Sequence, residues 1–159
     1  MDVAYVNPFI VSTIETFKTM LGLEIKPGQP KLKDDAASPY DVSGIIGLSG
    51  EAQGSICMSY PKLMALKIVS KLLGTDIKII GPEVADGIGE IANIVAGNAK
   101  KYLTKFKLSI SLPKVVLGNS HYLISLQDSP AIVVPFTSAM GNFAIEVSLK
   151  TPEPNKTPT

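Results

Sequence analysis

Residues Gly81–Tyr102 read GPEVADGIGEIANIVAGNAKKY, and their spacing predicts one long helix, Pro82 to Tyr102. Gly81 punctuates its start, and Pro82 suits the first turn, where a missing N–H costs nothing. Glu83 and Asp86 fall near the positive end of the helix dipole, and Lys100 and Lys101 near the negative end. At roughly 100° per residue two faces separate. Val84, Ile88, Ile91, Ala92, Val95 and Ala99 centre on one side, which predicts a core. Glu83, Asp86, Glu90, Asn93, Gly97 and Lys100 cluster on the other. Asp86, Glu90 and Asn93 follow i, i+4, i+7 spacing and point the same way. Solvated helix faces favour Lys, Glu or Gln over Asn, and Gly97 costs roughly 1 kcal/mol against Ala inside a helix. A carboxylate and a carboxamide beside missing bulk read as a docking face.

The run Asp86-x3-Glu90-x2-Asn93, continuing Ile94-Val95-Ala96-Gly97, resembles the signature helix of the CheC/CheX/FliY family of chemotaxis phosphatases. The resemblance spans roughly residues 5–150, with the helix motif its specific part. It implies that Glu90 and Asn93 are the functional pair. The family pattern also has a proline beyond the Asn; Pro113 stands there, with nineteen residues between (113 − 93 − 1), slightly short of the pattern. Relatives of CheC type carry a second Glu-x2-Asn in the first half of the chain. Here Glu15-Thr16-Phe17-Lys18 puts Lys in place of the Asn, so the resemblance implies a single site, as in CheX, and Glu15 reads as an ordinary surface residue.

Composition bounds the rest. A chain of 159 residues with 45% hydrophobic and 18% charged residues is long enough for one cored domain. Residues 1–150 are expected to form a single CheX-like domain, and 151–159, polar and proline-rich, a disordered tail. A net charge of +1, with no basic stripe, argues against nucleic acid. One cysteine, Cys57, excludes an intrachain disulfide and fits a reducing compartment. No signal peptide and no run of about 18 uncharged apolar residues are seen, so a cytoplasmic location with no membrane partner is expected.

Asn7 to Leu21 predicts a first helix, capped by Asn7, with Ile10, Ile14, Phe17 and Leu21 on its core face. Residues 26–41 read as a loop, or an edge segment at most; the adjacent Asp34 and Asp35 there read as solvated. Val42 to Leu48 and Gln53 to Tyr60 predict a hairpin around Ser49-Gly50-Glu51. Cys57 in the second strand is expected to be buried and inert. Pro61 to Leu73 predicts a second helix ended by Gly74, and Ile77 to Ile80 a short strand or connector. Gly87, Gly89 and Ala92 spell G-x-G-x-x-A, but Pro82 and Glu83 separate it from any strand and no acid follows about twenty residues on. Gly47-Leu48-Ser49-Gly50 lacks the spacing of a nucleophile elbow, and the lone His121 gives a triad or a multi-histidine metal site nothing to stand on. Lys107 to Leu112, Val115 to Leu117, Tyr122 to Leu126, Ala131 to Phe136 and Phe143 to Leu149 predict further strands, punctuated by turn residues. The pattern argues for an α+β, CheC-like domain: a largely antiparallel sheet packed with long helices.

Neither Glu90 nor Asn93 is a good nucleophile, and no histidine base adjoins them. A carboxamide can hold a water in line with phosphorus, as glutamine does in small GTPases; a carboxylate can pair with a lysine. The resemblance implies this division of labour against the aspartyl phosphate of a phosphorylated CheY-type receiver domain. Asn93 would orient the attacking water and Glu90 would pair with the receiver lysine. Asp86 would be a flanking contact, Gly97 a clearance site, and Glu83 and Lys100 outlying partner contacts. No cofactor of its own is implied, the Mg²⁺ belonging to the receiver, and the family adds a homodimer. The alternative is a non-catalytic docking module for a receiver domain or a flagellar switch component, with Glu90 and Asn93 as recognition residues.

Overall fold

The computed structural model describes residues 3–33, 40–118 and 131–151. After a short 3₁₀ turn, Val3–Tyr5, come α1 (Asn7–Leu21), β1 (Ile25–Pro27), β2 (Lys31–Leu32), β3 (Val42–Gly50), β4 (Gln53–Tyr60), α2 (Lys62–Leu73), α3 (Pro82–Tyr102), β5 (Leu108–Ile110), β6 (Lys114–Leu117), β7 (Ile132–Ser138) and β8 (Phe143–Lys150). The described strands form one antiparallel sheet in the order β1-β7-β8-β4-β3-β5, with β2 also on β7 and β6 also on β3. This is the expected α+β arrangement.

Side-chain alternation gives the sheet two unlike faces. Val42, Ile46 and Leu48 of β3, Ile56, Met58 and Tyr60 of β4, and Phe143, Ile145 and Val147 of β8 are buried on the helix side. Phe17 of α1 stacks on Phe143 with ring centroids 4.8 Å apart, and Phe136 stacks on Phe143 at 4.9 Å. The centre of the other face carries buried polar side chains, among them Ser43, Ser59, Glu146 and Ser148. Ser43 and Ser59 share a 2.8 Å hydrogen bond, the Cys57 thiol lies 3.5 Å from Ser59 Oγ, and Lys33 Nζ donates to Glu146 Oε2 at 2.7 Å. The other oxygen, Glu146 Oε1, is buried without a hydrogen-bond partner among the described residues.

Glycine lets α3 approach its neighbours closely. A Cβ at Gly44 would lie 3.2 Å from Ala92 Cβ and from Ile88 Cγ2, and one at Gly87 would lie 2.9 Å from Val69 Cγ2 of α2. The glycines that could pass for a nucleotide fingerprint thus include a packing position.

Several expectations change. Asn7 is the first residue of α1 and not its cap; Val6 holds that place with no side-chain capping bond. The buried face of α1 is Phe9, Ser12, Thr13, Thr16, Phe17 and Leu21, while Ile10 and Ile14 are only partly buried. The shift arises because α1 packs on α3 as well as on the sheet, with Ser12 Oγ donating to the Val95 carbonyl at 2.7 Å. Two open readings are decided within what was expected: segment 26–41 includes paired edge residues in β1 and β2, and Ile77 to Ile80 is a connector. The expected strand Tyr122 to Leu126, His121, Asp34 and Asp35, and the tail from 152 onward lie outside the described residues.

Candidate functional site

Helix α3 has the predicted two faces. Val84, Ile88, Ile91, Ala92, Val95 and Ala99 are buried, as are Gly87, Gly89 and Ala96. Glu83, Asp86, Glu90 and Lys100 are exposed, and Asn93 and Gly97 are half-buried. Residues three and four apart on a helix are surface neighbours, roughly 5–6 Å between Cβ atoms, so Asp86, Glu90 and Asn93 make one continuous row. None of the three side chains is hydrogen-bonded or ion-paired among the described residues. A Cβ placed on Gly97 would meet nothing within 4 Å. The row is therefore a convex, unengaged polar ridge with free space at one end.

Two features frame this ridge that the sequence did not reveal. On one side β5 and β6 are a single edge strand interrupted by a bulge. Leu48 pairs with Ile110 and Ile45 with Lys114, so Ile46 and Gly47 face three residues, Ser111, Leu112 and Pro113. Ser111 holds the bulge: its N–H donates to the Gly47 carbonyl at 2.9 Å, and its Oγ accepts from Gly47 N–H at 2.8 Å. The extra residue turns Leu112 out, 89% exposed, and brings Pro113 against α3, where a Cβ on Gly89 would lie 3.4 Å from the proline ring. Bulges often re-aim side chains beside active sites. Pro113 between two β-patterned runs was the available signal, since proline inside a sheet is confined to edges and bulges.

On the other side a cleft of about 260 Å³ separates α3 from α1, lined by Glu15, Thr16, Met20, Ile94, Asn98 and Tyr102 among others. Tyr102 Oη donates to both Glu15 oxygens at 3.4 and 3.3 Å, and the Glu15 carboxylate beside it raises the phenol's pKa above its ordinary value. Glu15 is thus an exposed residue, as expected, but an engaged one.

Cys57 is buried, and burial pushes its thiol up to about 11, so it stays a neutral thiol near pH 7 and is a poor nucleophile. No group of three or more His, Cys, Asp or Glu residues able to hold a metal occurs among the described residues, and none of their helices is long and apolar enough to cross a membrane. A ridge with carboxylates and a carboxamide, with no histidine, cysteine or serine in its helix, can orient and pair. It cannot attack.

Comparison with known proteins gives the ridge a context. Residues 42–137 match the family model of the chemotaxis phosphatase CheX. The chain is 32% identical over 121 residues to the CheY-P phosphatase CheX of Thermotoga maritima, covering 74% of this chain and 78% of that one. A CheC-like superfamily protein from Shewanella sp. PV-4 superimposes with a TM-score of 0.86 at 37% identity, over 94% of this chain and 99% of the other. A chain in the crystal structure of the CheX–CheY–BeF3–Mg complex from Borrelia burgdorferi superimposes with a TM-score of 0.80 at 29% identity, over 94% and 99%.

Proposed function

Since the chain belongs to the CheX family of chemotaxis phosphatases, we propose that it hydrolyses the aspartyl phosphate of a CheY-type receiver domain, with α3 as its working surface. The observation that carries this reading is the row Asp86, Glu90 and Asn93, exposed or half-exposed, unengaged, and ending at the open space over Gly97. A convex ridge suits a substrate that has its own concave active site. The receiver brings the phosphoryl group, a lysine and Mg²⁺.

Asn93 accepts a hydrogen bond from a water through its carboxamide oxygen and so holds it in line with phosphorus, opposite the leaving carboxylate. Attack forms the new P–O bond and breaks the bond to the receiver's aspartate, releasing inorganic phosphate and the free carboxylate. An acyl phosphate has a good leaving group, so positioning of the water is the main contribution required. Glu90 accepts from the receiver's lysine ammonium, a charge-assisted bond that fixes the approach. Asp86 adds a flanking negative charge, with Glu83 and Lys100 as outer contacts. Gly97 leaves clearance for the receiver, and the outward Leu112 on the bulge offers it an apolar contact.

Residues 1–150 are read as the single unit that carries this activity, cytoplasmic and working as a homodimer, with no cofactor of its own. The test is phosphate release from a panel of phosphorylated receiver domains, wild type beside Asn93→Ala. Decay accelerated by the wild type and not by the variant supports the assignment. Acceleration that survives Asn93→Ala moves the water-orienting role elsewhere. Saturable binding without acceleration replaces catalysis with docking. Sedimentation that finds only monomer removes the homodimer.

A further inference from the structure

Helix α2 buries one side and leaves Leu63 and Leu73 exposed on the other, with Leu66 between them partly buried against the core. Met64, Ala65, Ile68 and Val69 are buried. Around the helix from them stand Leu63, Leu66, Ser70 and Leu73, spaced i, i+3, i+7, i+10, the alternation of three and four with which one helix faces another; at Ser70 the connector walls the row, its Ile77 N–H donating to Ser70 Oγ at 2.9 Å. Leu63 is 70% exposed and Leu73 51%. Leu63, Leu66 and Ser70 lie in a groove of about 710 Å³, together with Ile77 of the α2–α3 connector and Met140 of the β7–β8 turn. Its charge is one-sided. Lys67, Lys71 and Lys78 line it against the single carboxylate of Asp76, which lies 3.7 Å from Lys78. Lys67 and Lys71 have no ion-pair partner among the described residues.

We propose that this groove docks an amphipathic helix of a partner protein, with leucine-type residues along its contact seam and carboxylates flanking them. The seam selects a helix, because the 3–4 spacing repeats where a facing helix repeats its own side chains. The lysines select the sign of the flanks. The twelve residues of α2 span about 18 Å, so the occupant needs about three turns. A lipid surface fits less well: the leucines of the groove lie among Ile77 and Met140, whereas a membrane-binding helix needs its apolar face to protrude. The surface is separate from the polar ridge of α3, so the inference stands apart from the phosphatase reading.

Two synthetic helical peptides test it on the full chain by fluorescence anisotropy. They share leucines at the seam positions and differ only in carrying Glu or Lys on the flanks. The Glu peptide should bind and the Lys peptide should bind at least about tenfold more weakly, with the difference shrinking as salt is added. Leu63→Glu and Lys67→Glu should each weaken the Glu peptide by about tenfold without moving the thermal transition, since both side chains are exposed. Failure of both peptides to bind, equal affinity for the two, or indifference to Leu63→Glu overturns the proposal. It also falls if the seam serves another occupant. Self-association in sedimentation, or capture by phosphatidylserine vesicles, that is lost in Leu63→Glu would show that.

Discussion

Helices α1 and α3 lie side by side and carry the same frame with different contents. Val11, Glu15, Lys18 and Gly22 stand at the spacing of Asp86, Glu90, Asn93 and Gly97. Both helices have a proline in the first turn, Pro8 and Pro82, and Ser12 of one bonds the Val95 carbonyl of the other. The frames differ where chemistry would occur. Glu15 is held by Tyr102, whereas Glu90 is unengaged among the described residues. Lys18 offers an ammonium, which cannot accept a hydrogen bond from water and would repel a receiver's lysine; Asn93 offers a neutral amide. Gly22 ends α1 in the left-handed region with φ 59°, while Gly97 lies inside α3 under empty space. A glutamate at the right place on a helix is thus a small part of such a site. On the proposed reading, the residue one turn on and a helix that continues past its glycine would complete it.

The largest test of this contrast moves the α1 residue into α3. Asn93→Lys should slow receiver dephosphorylation on the order of a hundredfold, the scale of losing one aligned hydrogen-bonding group in an active site; phosphate release measures it. Lys18→Asn should leave the rate unchanged, and Lys18→Asn added to Asn93→Ala should restore nothing, because Tyr102 already engages Glu15. Recovery in that double variant would mean that α1 lacks only its amide. Next in size, Glu90→Gln should lower kcat/KM on the order of tenfold, less at high salt because the lost contact is charged and exposed. Glu15→Gln should not change it.

The paired glycines give a smaller effect of opposite sign, read by denaturant unfolding. Gly22→Ala should destabilise by about 1–2 kcal/mol, since alanine resists the left-handed backbone. Gly97→Ala should stabilise by about 1 kcal/mol, since its Cβ meets nothing and alanine favours the helix. Smallest is a change in titration. The Glu15 carboxylate raises the Tyr102 pKa because a phenolate beside it would be repelled. Glu15→Gln should therefore let Tyr102 ionise at lower pH, nearer the ordinary value of about 10, in an ultraviolet titration. An unmoved curve would mean that the two helices are not coupled through this pair.

Helix α3 was legible because its main apolar row is unbroken: Val84, Ile88, Ile91, Ala92, Val95 and Ala99 return to one face, and each of them is buried. The hairpin of β3 and β4 was legible for the same reason, with a period of two. Misreadings came where two surfaces compete for one element. Ile10 and Ile14 of α1 look like core by period, yet Ser12, Thr13 and Thr16 are more deeply buried because α3 covers that side. The short edges β1 and β2 carry Pro27 and exposed lysines, which read as a loop or at most an edge segment; pairing to β7 decides for the edge. Glu146 alternates with Ile145 and Val147 like any outward residue. Only the folded chain brings Lys33 to it, across a sequence separation of 113. Glu90 and Asn93 were singled out by residue type and family resemblance, whereas the bulge at Leu112 and Pro113 depended on a strand pairing that spacing does not reveal.

The order of strands has a consequence for how the protein is made. β8, the last strand of the described chain, fills the place between β4 and β7, so the sheet cannot close until the ribosome has released residues 143–150. Until then the hairpin of β3 and β4 has an unpaired edge and an apolar face with Ile56 and Met58 on it, the kind of surface that joins to other unfinished chains. A shortened message ending before Phe143 would therefore yield a product without a central seam, rather than a smaller working protein.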